Sequence, residues 1–459
     1  MAEKLIISVS GLRGIIGENL TAEIAAQYGC AFGSFLGTQD RSGKDRLKVS
    51  IGRDSRPSGP MIQAAVTAGL CSVGVDVIDL GVVTTPCVGV MLRELGADGG
   101  IVITASHNPI PYNGVKLLLS NGIAPPPEVA AQIKQRFQDR QFSQVGSAEC
   151  GTIAANDQTD RVHIERVLAI VDAQAIAAKH FKVVLDSVNG AGGRIGVKLL
   201  QALGCDIVPI NTEPTGLFAH EPEPTAQNLA GLLDIVRDNA AAIGFAQDPD
   251  ADRLAIVDEA GLYIGEEYTL ALAAKYVLDR QGGTTAANLS TSRMIDDVAQ
   301  AAGAKVIRTP VGEANVAHAM VDNDCVVGGE GNGGIIDLRV GPVRDSLVAM
   351  ALVLQLMAAE DQSIGELAQR IGGYAMLKDK FSATAEQADE INARAQAHFK
   401  DAQVNSDDGC RLDLDDGWIH LRVSNTEPVM RMIIEAQSQA SAQHYAEAVL
   451  KMRDEVLAG

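Results

Sequence analysis

One plan of strand, loop, helix, glycine and strand occurs three times along this chain. The first copy is LKVSIGRDSRPSG, MIQAAVTAGLCSVG and VDVIDLG, opening near residue 47. The second is FKVVLDSVNGAGG, IGVKLLQALG and CDIVPI, opening near 181. The third is AANLSTS, MIDDVAQAAG and AKVIRTP, opening near 286. In each, a β-branched run gives way to a polar loop, a small and apolar helix follows, and a glycine stops it. Such alternation predicts α/β units with mixed, largely parallel sheets. A period above a hundred residues marks duplicated domains, not a solenoid of short repeats.

The plan changes past residue 370. A polar helix is expected at 385–399, a hairpin in CRLDLDDGWIHLRVSN, a strand in MRMIIEAQ and a last helix in SAQHYAEAVLKMRDEV. That is an α+β unit. Four domains are therefore expected, 1–155, 156–258, 259–369 and 370–459, the first three α/β and the last α+β. No long linker separates them, so they should pack around shared surfaces.

Composition narrows the partners. With 38 Lys and Arg against 58 Asp and Glu, the net charge of −20 argues against nucleic acid and anionic membrane surfaces. The positive site for any anionic substrate must be local. The seven cysteines form no Cys-x-x-Cys pair, and no signal-peptide pattern opens the chain, which together point to a cytoplasmic protein. The apolar run 347–359 is too short to span a bilayer and reads as a buried helix.

Four loops carry chemistry. Gly99–Thr104 reads as a buried strand ending in Ala-Ser-His-Asn-Pro, with Lys116 ten residues past Ser106. A strand's carboxyl end in an α/β sheet is where ligands bind. The plain alternative is a Ser/Asn/Pro turn.

In AQDPDADRLAIVD, three carboxylates, Asp248, Asp250 and Asp252, alternate along a tight loop. Their repulsion calls for a cation, and oxygen ligands suit Mg²⁺. An EF-hand is excluded because Arg253 stands where glycine is required and LAIV is strand-like. An aspartyl-phosphate phosphatase would place Thr or Val, not Asp-Arg, beside its Asp-x-Asp. A solvated acidic turn is the remaining alternative.

In GGEGNGGIIDL, Gly329, Gly331 and Gly334 match G-x-G-x-x-G, but a strand follows where a dinucleotide site needs a helix. Glu330 and Asn332 suit sugar hydroxyls instead; a glycine-rich hairpin is the plain alternative. In LRVSNTEPVMRM, Arg422, Ser424, Asn425 and Thr426, with Arg431, form a phosphate cradle without a Walker lysine. Arg13 in SVSGLRG is either a salt-bridge partner in a loop or a phosphate contact. Neither a Gly-x-Ser-x-Gly elbow nor a P-loop is present. A serine, a metal loop and no nucleotide site point to phosphoryl transfer through a phosphoserine.

These motifs, in this order and over essentially the whole chain, resemble the α-D-phosphohexomutase superfamily of phosphoglucomutases, phosphomannomutases and phosphoglucosamine mutases. The resemblance implies a phosphate on Ser106, which also contacts the metal, and Mg²⁺ on Asp248, Asp250 and Asp252, with Pro249 in place of the usual glycine. It implies three α/β domains and a fourth α+β domain around a central cleft. Phospho-Ser106 would donate to a hexose monophosphate, and the 1,6-bisphosphate formed would turn over and return its other phosphate. Added hexose 1,6-bisphosphate would serve as activator. Arg253 would draw charge, Arg13, His107 and Lys116 would move the hydroxyl proton, and cationic crowding would lower the lysine's pKa. Many glucose- and mannose-type members carry serine at 332 and histidine at 334; asparagine here leans toward glucosamine phosphate. A monomer or homodimer acting on a small phosphosugar is expected. A binding relative without turnover and a metal-dependent sugar phosphatase stay open as alternatives.

Overall fold

The computed structural model describes residues 5–9, 11–39, 46–423 and 429–458. Each of the three repeats forms the parallel β-α-β unit expected of it. Lys48–Arg53 pairs with Asp76–Val82, Lys182–Asp186 with Asp206–Ile210, and Thr284–Asn288 with Lys305–Thr309, all parallel. The helix within each unit is stopped by a glycine in the left-handed region: Gly74 at φ 80°, Gly204 at 74° and Gly303 at 66°. A side chain there would be strained.

Each sheet then adds a third parallel strand and reverses. Gly99–Ile103, Ile243–Gln247 and Val327–Glu330 run parallel to the first strand of their units. Each is followed by an antiparallel partner, Tyr112–Leu119, Leu254–Val257 and Gly334–Ile336. The reversal loops are the serine, metal and sugar loops, so three domains present their chemistry from one topological position.

The first sheet is the largest. Its order is Ile6–Ser8, Gly11–Ile15, Tyr112–Leu119, Gly99–Ile103, Lys48–Arg53, Asp76–Val82, Ile153–Ala155. Arg13 therefore lies in a strand paired with Tyr112–Leu119, not in a loop as its glycines suggested. Those glycines are demanded by packing: a Cβ on Gly14 would lie 2.3 Å from Asn19 Oδ1. The last sheet is antiparallel throughout, in the order Ala375–Ser382, Val429–Ala436, Gly417–Val423, Cys410–Leu414, Gln403–Asn405. Helices Ala385–His398 and Gln439–Leu457 pack on it.

The apolar run at 347–359 is the buried helix Ser346–Glu360, capped by Asp345, whose side chain accepts from the N–H groups of Leu347 and Val348. Among the described residues no single helix is long and apolar enough to cross a membrane. One continuous core joins the first three units, from Leu80 through Phe245 and Leu352 to Leu367. The fourth has a core of its own around Ile391, Ile419, Ile434 and Val449. All seven cysteines are free.

Candidate active site

The serine loop leaves Gly99–Ile103, a strand buried at every residue. Ser106 is itself buried and sits at φ 49°, in the left-handed region that a non-glycine residue enters at a cost. Two neighbours hold it there. The Ser106 N–H donates to Thr104 Oγ1 at 2.9 Å, and Thr104 Oγ1 donates to Asp54 Oδ2 at 2.7 Å. Arg56, fully buried, donates to the carbonyl oxygens of Ser106 and Asn108 at 2.6 Å, of Pro109 at 2.8 Å and of Tyr112 at 3.0 Å. One guanidinium thus staples the loop. The Asp54 carboxylate accepts from its Nε at 3.1 Å.

The Ser106 hydroxyl donates to Asp248 Oδ2 at 2.9 Å, which brings the first repeat's loop against the second's. Asp248, Asp250 and Asp252 are fully buried, and one oxygen from each lies within 4.8 Å of the others. Lys116 and Arg344 pair with two of these three carboxylates. Lys116 Nζ donates to Asp250 Oδ2 at 2.8 Å and lies 3.4 Å from Asp252 Oδ2; Arg344 Nη2 donates to Asp252 Oδ2 at 2.7 Å. Thr85 Oγ1 donates to Asp250 Oδ2 at 2.6 Å. Burial and the neighbouring Asp250 and Asp252 push the Asp248 carboxyl well above the usual range. Burial acts the same way on Asp250, but the Lys116 ammonium outweighs it and holds that carboxyl low.

Asp250 Oδ1 and Asp252 Oδ1 are buried with no hydrogen-bond partner. Orphaned anionic oxygens beside a third carboxylate fit a hard divalent cation such as Mg²⁺. The same arrangement corrects one expectation. Carboxylates, not cations, surround Lys116, and against the effect of burial they raise its pKa. His107 moves the other way. Burial, with Arg253 and Arg13 nearby, lowers it to about 2, so a neutral imidazole stands 3.4 Å from Ser106 Oγ. Arg13 Nη1 donates to Asn108 Oδ1 at 2.7 Å. Arg253 Nε lies 3.7 Å from Asp252 Oδ1.

The sugar loop differs from expectation in its details. Glu330 is buried and supplied with donors: Oε1 accepts from Asn288 Nδ2 at 2.7 Å and the Gly312 N–H at 3.1 Å, and Oε2 from Arg344 Nη1 at 2.6 Å and Asn332 Nδ2 at 3.4 Å. Asn332 Oδ1, by contrast, is buried without a partner. The free acceptor for a hydroxyl is thus on Asn332. The space beside Gly334 is filled by Arg344, whose Cδ would lie 2.2 Å from a Cβ there. Glu267 presses on Gly331 from behind, its Oε2 1.9 Å from where a Cβ would stand.

Arg422, whose Nε lies 3.1 Å from Asp408 Oδ2, and Arg431 face the same space from the last sheet. Ser424, Asn425 and Thr426 lie outside the described residues. A cavity of about 540 Å³ joins Arg13 and His107, Arg253, Glu330 and Asn332, and Arg422 and Arg431. Its lining holds six Arg and Lys against four Glu, so this acidic chain has built a local cationic site. Arg56, Thr85, Glu267 and Arg344 were not singled out by the sequence. The only signal for Arg56 was its place in the polar loop of the first repeat.

The chain matches phosphoglucomutase/phosphomannomutase in four consecutive stretches: alpha/beta/alpha domain I over residues 4–144, domain II over 161–261, domain III over 266–374 and the C-terminal domain over 378–452. It belongs to the phosphoglucomutase/phosphomannomutase family. A relative from Thermococcus kodakarensis named phosphoglucomutase/phosphomannomutase is 39% identical over 98% of both chains. One from Methanopyrus kandleri, named probable phosphoglucosamine mutase, is 36% identical over 94% of both. A solved phosphoglucomutase/phosphomannomutase family protein from Burkholderia thailandensis superposes with a TM-score of 0.86 at 29% identity, covering 99% of both chains. The serine, metal and sugar loops fall in family domains I, II and III, and Arg422 and Arg431 in the C-terminal domain.

Proposed function

We propose that this chain is a cytoplasmic phosphohexomutase. It interconverts hexose 1-phosphate and hexose 6-phosphate through phospho-Ser106 and a hexose 1,6-bisphosphate, and it favours glucosamine phosphate. The observation that carries this reading is the Ser106 hydroxyl 2.9 Å from Asp248, beside two orphaned carboxylate oxygens and a cationic cavity.

The two ends of a hexose are too far apart for direct transfer, so the serine lends the phosphate. The Ser106 O–P bond breaks as a bond forms to the free sugar hydroxyl, whose proton leaves to a base. His107, 3.4 Å from Ser106 Oγ, is the candidate base, while Lys116, kept protonated by its carboxylate partners, and the Arg13 guanidinium supply positive charge beside it. After the bisphosphate turns end over end, the reverse step returns the other phosphate to Ser106. Asp248, Asp250, Asp252 and the serine-borne phosphate would hold Mg²⁺, which when bound withdraws charge from the phosphoryl group in transit. Arg253 adds a fixed positive charge at the same point. Arg422 and Arg431, with Ser424, Asn425 and Thr426, hold the phosphate that is not reacting. Asn332 and Glu330 orient the ring. Glucosamine is favoured by asparagine at 332, which borders the cavity. The Thermococcus relative's name supports glucose and mannose phosphates as the second reading.

The test is catalytic efficiency on glucosamine 6-phosphate, glucose 1-phosphate and mannose 1-phosphate, with Mg²⁺ and a trace of the matching bisphosphate as activator. Ser106→Ala is run beside the parent. The expected result is a serine-dependent preference for glucosamine phosphate. Free phosphate without isomerised product would indicate a phosphatase, and binding without turnover a non-catalytic relative.

A further inference from the structure

Arg344 belongs to none of the motifs legible in the sequence, yet it touches two of them. Nη1 donates to Glu330 Oε2 at 2.6 Å and Nη2 to Asp252 Oδ2 at 2.7 Å. Its own position is fixed from both sides. Its N–H donates to Glu313 Oε1 at 2.7 Å, and the next residue, Asp345, caps the buried helix Ser346–Glu360. Gly334 clears its path: a Cβ there would lie 2.2 Å from Arg344 Cδ and 2.9 Å from Cγ.

Arg344 thereby grips one oxygen of each carboxylate. Asp252 is tied through Oδ2 and keeps Oδ1, buried and without a hydrogen bond, as its ligand atom, with Arg253 Nε 3.7 Å away. Glu330 is tied through Oε2, the oxygen that also receives Asn332 Nδ2. Removing the guanidinium would leave both carboxylates short of a donor in a buried setting.

We infer that Arg344 is a positioning residue that couples cation binding at the metal loop to sugar binding at the sugar loop. One rigid guanidinium spans both carboxylates. Ordering either loop fixes the partner of the other, so each ligand meets a site already arranged. By linkage the effect is equal in both directions. A lysine in its place would keep the charge but lack the planar fork that reaches two acceptors at once. The inference rests on the mutase reading, since it needs a sugar at residues 330–332.

The experiment uses the full chain carrying Ser106→Ala, so that no phosphoserine forms. Mn²⁺ binding is measured by electron paramagnetic resonance with and without saturating glucosamine 6-phosphate. The ratio of the two dissociation constants is the coupling factor, expected at about fivefold or more in favour of the ternary complex. Arg344→Met is expected to reduce it to below about twofold while each ligand still binds alone, with Arg344→Lys in between. Gly334→Ala displaces the guanidinium while leaving every charge in place, and the same loss is expected from it. An unchanged coupling factor in a folded Arg344→Met or Gly334→Ala chain overturns the inference, as does a parent chain without coupling. Mn²⁺ binding with no binding of any of the three hexose phosphates overturns the mutase reading and the inference together.

Discussion

Arg56 Nη2 donates to the carbonyl oxygen of Ser106 at 2.6 Å, from a side chain with no exposed surface. The strained backbone of Ser106 is therefore held by a buried charge whose remaining donors serve three more carbonyls of the same loop and Asp54.

Arg56→Lys should therefore damage both stability and turnover. Lysine cannot reach four carbonyls, and Asp54 Oδ2 loses the Nε donor at 3.1 Å. Breaking such a buried pair costs about 3–5 kcal/mol. Urea melts and kcat measured on the same preparation check this. A variant with parental stability and parental kcat would show that the loop holds its shape unaided.

The orphaned oxygens of Asp250 and Asp252 give a prediction about ligand linkage. Mg²⁺ at about a hundred times its dissociation constant should stabilise the fold by about 2.7 kcal/mol, and a chelator should remove that gain. Thr85→Val deletes the 2.6 Å hydrogen bond that orients Asp250. It should weaken Mg²⁺ about tenfold by titration calorimetry while leaving the melting curve in chelator nearly unchanged.

Glu267 gives a pH dependence with a defined sign. Burial lifts its carboxyl to about 7 from an ordinary 4.5, against the pull of Lys378. The folded state therefore favours the protonated form. This stabilisation is fully present below pH 4.5 and lost as pH rises through 7, worth about 3 kcal/mol across the window. Glu267→Gln is neutral throughout. The parent's stability relative to that variant should fall between pH 4.5 and 7.5 in denaturant melts; a difference independent of pH would refute the assignment.

The separate core of the C-terminal domain predicts two unfolding steps. Its ties to domain III include polar contacts: Arg293 Nη2 donates to Leu414 O and Gly417 O at 2.7 Å, and Ser290 Oγ lies 2.9 Å from His420 Nδ1. Domains I to III keep clusters of their own, around Phe32 and Ile101 in the first, but a shared apolar cluster ties all three, and they should melt together. Calorimetry should give a second, smaller transition, and hydrogen exchange should place it in residues 378–452. A single two-state transition would show that the polar ties suffice for full cooperativity.

The sequence revealed what is local. Strand, helix and stopping glycine lie within thirty or so residues of each other, so the three β-α-β units were legible, as was the dense spacing of Asp248, Asp250 and Asp252. The strand Gly11–Ile15 was not, because its partner Tyr112–Leu119 lies about a hundred residues away and two glycines mask its β character. Lys116 was found by its distance from Ser106, but its environment was misjudged: the carboxylates that raise its pKa, Asp250, Asp252 and Glu313, come from the second and third domains. Arg344 escaped notice for a related reason. Nothing in Pro-Val-Arg-Asp-Ser marks it, and its meaning appears only when Asp252 and Glu330 converge on it.

In each of the three α/β domains the working loop hangs from the same joint, where the last parallel strand turns back antiparallel. The loops hang from a repeated frame and are tied to one another by side chains, Ser106 to Asp248 and Arg344 to both Asp252 and Glu330. Residues 330–334 and the aspartates share no strand, so Arg344 is the side chain through which a change at Glu330 or Gly334 would reach Asp252. Relatives this similar to one chain and yet named for different sugars, such as those from Thermococcus and Methanopyrus, are what such a frame leaves behind.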